Sequence, residues 1–155
     1  MLITDYLIKE CIAVNLKAGE KEKIISELAE LQFENYPEID KDEAIVGLSE
    51  REKILSTGIG KGIAIPHARL ESSRRISVSF GLMQGETDFE AIDNQPVRII
   101  FLIFFPKDEV NLQLRFLARI SRLLRDAALR EKLLSCECPE DVIDTFRQFE
   151  AQHFH

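Results

Sequence analysis

The order of patterns along the chain predicts an α/β fold, a three-layer α/β/α sandwich with a central mixed β-sheet. Three observations carry that expectation. Residues 97–105 form the most apolar run, which suits a central strand covered on both faces. Residues 74–83 alternate strongly, as a strand with one crowded and one small-residue face does. Helix-period segments precede and follow these strands, so helices are available for both faces.

Taken in order, Thr4 and Asp5 start one or two helical turns over residues 3–8. Ile12-Ala13-Val14-Asn15-Leu16 alternates and is rich in β-formers, a strand signature. Gly19 breaks the chain before a helix over 20–33, whose Ile24, Ile25, Leu28 and Leu31 share one face. Asn35-Tyr36-Pro37 reads as a loop. Asp40 is a good N-cap for a second helix running to about Leu55, with Glu43 placed as its capping-box partner. A short buried strand, Ile63-Ala64-Ile65, ends at Pro66, which has no N–H for a ladder.

The segment 84–95 reads as a connection with a turn at Asp93-Asn94, and Pro106-Lys107-Asp108 closes the central strand. Leu112, Phe116, Leu117, Ile120, Leu123 and Leu124 form the stripe of a helix from about Val110. A break near Asp126 leads to a short helical piece over 129–134. Pro139, followed by Glu140 and Asp141, opens a final helix through Phe149.

Composition bounds the function. The 155 residues fit one domain, 1–155, with 45% apolar and 30% charged content typical of a soluble globule. A net charge of −7 argues against a nucleic-acid partner, which needs a basic face. The longest apolar run, residues 99–105, is far short of a membrane span. The N-terminal residues lack the basic and apolar regions of a signal peptide, so a cytoplasmic protein is expected. Cys11, Cys136 and Cys138 make an odd count without scaffold spacing. Cys136 and Cys138 with His153 and His155 offer a metal site only in principle, because zinc sites usually space cysteines by two residues. Idle or buried thiols are expected instead, with no metal and no cofactor.

The chemistry concentrates in Thr57-Gly58-Ile59-Gly60-Lys61-Gly62-Ile63-Ala64-Ile65-Pro66-His67-Ala68-Arg69. Its glycines permit positive φ and close approach to a ligand or partner, yet they match neither phosphate-loop fingerprint. His67 is expected at the exit of a strand, stiffened by the proline before it. Taken alone, a Pro-His pair is more often a capped turn than a reactive site. Between Arg51 and Arg75 stand six basic residues and two acidic ones, a local +4 within an acidic chain. Such an island favours an anion, phosphate above all, whose oxygens suit arginine. Arg51, near the end of its helix, is placed to reach the loop or simply to suit the helix dipole. Ile59, Ile63 and Phe89 are candidates for an apolar docking surface, though each also suits a core.

Three ordered stretches carry a family resemblance. Arg51-Glu52-Lys53 with Thr57-Gly58-Ile59-Gly60 and Gly62-Ile63-Ala64-Ile65-Pro66-His67 is the first. Phe89-Glu90-Ala91-Ile92-Asp93-Asn94-Gln95-Pro96-Val97 is the second, and Pro106 with the Leu114/Leu117 helix is the third. Together they resemble the fructose/mannitol-type enzyme IIA proteins of the bacterial phosphoenolpyruvate-dependent phosphotransferase system. The second stretch is close to the form of the nitrogen-regulatory branch. The resemblance implies that His67 accepts a phosphoryl group on Nε2 from a histidine phosphocarrier protein, with Arg51 neutralising its oxygens. In one respect the chain departs from the family. Gln113 stands where a second histidine is usual, and an amide donates a hydrogen bond but cannot become cationic.

The function expected from the resemblance is therefore a phosphocarrier acting mainly as a nitrogen-type regulatory IIA protein. Two alternatives stay open. One is a sugar-specific IIA component feeding a separate permease subunit, and the other is a regulatory binding module that docks a target protein without being phosphorylated.

Overall fold

The computed structural model describes residues 1–17, 19–54 and 56–154. The expected end of the second helix at Leu55, and His155, lie outside the described residues. Six strands form one mixed sheet: β1 (Ile12–Leu16), β2 (Gly58–Gly60), β3 (Ile63–Ala64), β4 (His67–Leu70), β5 (Ser77–Thr87) and β6 (Val97–Pro106). Five helices flank it: α1 (Lys21–Asn35), α2 (Lys41–Ile54), α3 (Val110–Leu123), α4 (Ala127–Leu134) and α5 (Pro139–His153). The N-terminal turns, Ile3–Tyr6 and Lys9–Cys11, are 3-10 rather than α-helical. None of these helices is long and apolar enough to cross a membrane.

The sheet runs β1-β5-β6-β3-β2, with β4 also paired to β6. β5 is antiparallel to β6, whereas β1 is parallel to β5, and β3 and β4 are parallel to β6. As its composition predicts, β6 is central, and Ile99–Phe105 are almost wholly buried. Its side chains divide between two cores. Ile99, Phe101, Ile103 and Phe105 pack toward α3, α4 and α5, while Ile100, Leu102 and Phe104 pack toward α1 and α2. These are the three expected layers.

Among the differences from the sequence reading, three bear on the site. β5 spans 77–87 rather than 74–83, because the antiparallel ladder with β6 resumes at Thr87–Val97 after an irregularity. The capping box of α2 is divided between two partners. Asp40 Oδ1 accepts from Glu43 N at 3.0 Å, but the Glu43 carboxylate reaches across to Glu71 N, Ser72 N and Ser72 Oγ. Ser72 Oγ in turn accepts from Asp40 N, so the helix start is tied to the end of β4. The third difference concerns His67. It is the first residue of β4, not the last step out of a strand. Pro66 interrupts the ladder without shifting it: Ala64 faces Ile100 and His67 faces Ile103, three residues on along both sides of the ladder. The Pro66 carbonyl still accepts from Ile103 N at 3.0 Å, which preserves the register.

Candidate functional site

His67 begins β4 beneath α2, and a glycine sets how closely the two approach. A Cβ on Gly47 would lie 3.1 Å from Ala68 Cβ and 3.4 Å from Leu70 Cδ2. Gly47, Glu50, Arg51 and Ile54 fall at i, i+3, i+4 and i+7, one face of the helix. That face closes a cleft of about 630 Å³, whose other walls are His67, Ala68 and Arg69 of β4, Lys107 and Asp108, and Val110 and Gln113 of α3. The three residues named from the sequence, His67, Arg51 and Gln113, therefore line one cavity.

The imidazole is 9% exposed and held in one orientation. Its Nδ1 lies 2.7 Å from the carbonyl oxygen of Ile65. A carbonyl only accepts, so Nδ1 must carry the hydrogen, and Nε2 keeps its lone pair. Phe105 meets the ring edge to face at 6.3 Å between centroids. Burial, above all, holds the His67 pKa below its usual value. The bond to Ile65 acts in the opposite direction, the Arg51 guanidinium lowers the value further, and the Glu52 carboxylate raises it. The net effect is a neutral imidazole near pH 7 with a free, nucleophilic Nε2.

A second set of contacts fixes the turn that carries Arg51. The Glu52 carboxylate accepts from both Thr57 N and Thr57 Oγ1 and pairs with Lys21 Nζ at 2.5 Å. Lys21 also lies over the Phe89 ring, 5.3 Å from its centroid. Thr57 O accepts from Ile65 N at 2.9 Å. The end of α2 and the residue that orients His67 are thus joined through Thr57.

Residues 5–149 match the family model described as phosphoenolpyruvate-dependent sugar phosphotransferase system, EIIA 2. The chain belongs to that family. Among its EIIA relatives is a nitrogen regulatory protein of Bradyrhizobium diazoefficiens, 38% identical over 133 residues, 86% of either chain. A fructose-specific EIIABC component of Bacillus subtilis is 34% identical over 148 residues, 96% of this chain but 23% of that protein. Of solved structures, the nitrogen regulatory protein IIA-Ntr of Neisseria meningitidis superposes with a TM-score of 0.85 at 26% identity, covering 93% of this chain and 98% of that one. The mannitol IIA of Escherichia coli, at 21% identity and a TM-score of 0.77, shares the fold.

Within this EIIA fold, several expectations drawn from the sequence need correction. Gly58, Gly60 and Gly62 do not line the His67 cleft. They build a β2–β3 hairpin in which Gly60, Lys61 and Gly62 all have positive φ, and Asp93 Oδ2 accepts from Lys61 N at 2.9 Å. The turn at Asp93-Asn94 thus serves the hairpin. The +4 island is also dispersed. Of its six cations, Arg51 and Arg69 reach the cleft, whereas Arg75 pairs with Glu38 at 3.2 Å and covers Tyr36. Ile63 and Phe89 are core residues, 2% and 0% exposed; Ile59, at 40%, remains accessible. Lys107 is a cleft cation that sequence reasoning missed. The parallel pairing of β4 with β6 sets Leu70 beside Pro106, which brings the following Lys107 to the cleft.

The cysteines lie away from the cleft. Cys11 is buried, and its thiol is pushed up to about 12 by burial and then by Glu10 and Glu34, which leaves it unreactive. Cys136 Sγ contacts Thr145 Oγ1 and the Lys132 carbonyl.

Proposed function

We propose that the chain is a phosphoryl carrier of the nitrogen-regulatory kind, whose His67 takes a phosphoryl group from a histidine phosphocarrier protein. One observation carries this reading: the bond from Nδ1 to Ile65 that leaves Nε2 unprotonated in a cleft lined by Arg51. The Nε2 lone pair forms the new N–P bond as the partner's N–P bond breaks, and the partner's imidazole leaves with the bonding electrons. The hydrogen stays on Nδ1, donated to the Ile65 carbonyl. Arg51 opposes protonation of the free ring and favours the anionic phosphoryl group that replaces the lone pair. Arg69 and Lys107 add positive charge to the same walls.

Apolar residues at the rim suit docking of the phosphocarrier. Ile54 is 80% exposed, Val110 45% and Leu114 60%. The likeness to nitrogen regulatory proteins in sequence and fold supports the regulatory assignment. Incubation with phosphoenolpyruvate, enzyme I and the phosphocarrier, followed by intact-mass measurement, tests the carrier reading. The wild type should gain one phosphoryl group and His67→Ala none. A wild type that stays unmodified would instead support the binding-module reading.

A further inference from the structure

A second cleft, sharing no lining residue with the first, lies between the β2–β3 hairpin and α4. Its walls include Lys61, Arg98, Arg130 and Glu131, and its volume is about 200 Å³. That is room for roughly seven waters, or for a diphosphate group. Three cations thus meet one carboxylate in a protein of net charge −7.

Their surroundings explain why they converge. Ala127, Arg130, Glu131 and Leu134 fall at i, i+3, i+4 and i+7, so one face of α4 forms a wall. The hairpin turn is fixed from both sides. Lys61 N donates to Asp93 Oδ2, and Gly62 O accepts from Arg98 N and Ile99 N, both at 2.9 Å. Lys61 and Arg98 are therefore carried on backbone that is hydrogen-bonded to itself. Among the described residues, Arg98 Nε is buried with no hydrogen-bond partner. A buried guanidinium donor without an acceptor is costly, and because Arg98 lines the cleft an anion bound there would lie beside that guanidinium. Arg130 Nη1 donates to the Leu124 carbonyl at 2.6 Å, which holds that side chain in place.

We infer that this cleft is a second anion site, distinct from the phosphoryl-acceptor cleft, which takes the phosphate or diphosphate group of a small metabolite. Arg98 and Arg130 bind its oxygens, and Lys61 supplies charge from the turn. Glu131 opposes entry, and the three cations minus this one carboxylate leave the lining at +2, which favours ligands carrying two or more negative charges over singly charged ones.

The test is an amide titration of the full chain with inorganic diphosphate at constant ionic strength. Saturable shifts are expected at Lys61, Gly62, Arg98 and Ala127–Arg130. Arg98→Gln/Arg130→Gln should weaken that binding at least tenfold, and Glu131→Gln should tighten it severalfold. Phosphoryl labelling of His67 should be unchanged in each. Lys61→Gln, on an exposed turn, gives a second weakened variant if the double one does not fold. Shifts confined to Arg51, Arg69 and Lys107, a response that does not saturate, or affinity unchanged in the folded variants would overturn the inference. Loss of labelling in the wild type would count against the carrier function while leaving the titration to decide this site.

Discussion

His67 donates through Nδ1 to the carbonyl oxygen of Ile65 at 2.7 Å, two residues back across Pro66. The proline links the donor to its acceptor, and its fixed φ limits the ring's freedom to leave that carbonyl. The bond selects the tautomer, and burial keeps the ring neutral.

The pH dependence follows from the depressed pKa. Neutral Nε2 is the reacting form, and burial, then Arg51, hold protonation below the usual 6.5. Transfer limited by His67 should therefore fall along an acid limb whose midpoint lies below 6.5. The same shift acts on stability. The unfolded chain gains the proton first, so the folded state loses stability as pH falls below about 6.5. Transfer rates of the wild type, and denaturant midpoints of wild type and His67→Gln, between pH 5 and pH 8 check both. An acid limb centred above 6.5 would contradict the burial argument.

Gly47 sets the distance between α2 and β4. Gly47→Val should force the helix away from Ala68 and Leu70, costing about 1–3 kcal/mol as overpacking does. Arg51, one turn further on, should move with it. Transfer should slow even under conditions where the variant is fully folded. A slower rate paired with an unchanged stability curve, or the reverse, would separate the two effects.

Thr57 links the end of α2 to the strand that orients His67. Thr57→Val removes the hydroxyl that Glu52 accepts from and should cost about 1–2 kcal/mol. Thr57→Ser should keep the bond and most of the rate. Equal rates for the valine and serine variants would show that the link has no bearing on transfer.

Gln113 is expected to assist through one amide hydrogen bond to the phosphoryl group. Its Oε1, buried without a partner among the described residues, only accepts, so Nε2 is the donor able to serve an anion. Gln113→His should add a second titration to the rate profile and change the rate by a factor in the tens at most, equivalent to about 1–2 kcal/mol. Superimposable profiles from pH 6 to pH 9 would remove Gln113 from the site.

Much of this was legible in the sequence because periodicity reports burial. The seven-residue apolar run Ile99–Phe105 could only be central, and the stripe from Leu112 to Leu124 could only lie on a core. His67, Arg51 and Gln113 were found through motif and resemblance, not spacing. The misreadings share a physical cause: local sequence does not say which way a turn faces. Gly60 and Gly62 needed positive φ for a hairpin, not for a ligand, and of the cations after His67 only Arg69 lies on β4, while Arg74 and Arg75 fall beyond its end. Phe89 lay in a polar-looking connection, yet it is fully buried beneath Lys21. Lys107 entered the cleft through strand pairing, and its ion-pair partner Glu71 lies 36 positions away in the sequence.

The claim that His67 carries the phosphoryl group on Nε2 is tested most directly by nuclear magnetic resonance of ¹⁵N-histidine-labelled, phosphorylated protein. A one-bond coupling from phosphorus to His67 Nε2, with the hydrogen retained on Nδ1, is the predicted result. Coupling to Nδ1, or a phosphoryl group on His153, His155 or any residue other than His67, would contradict it.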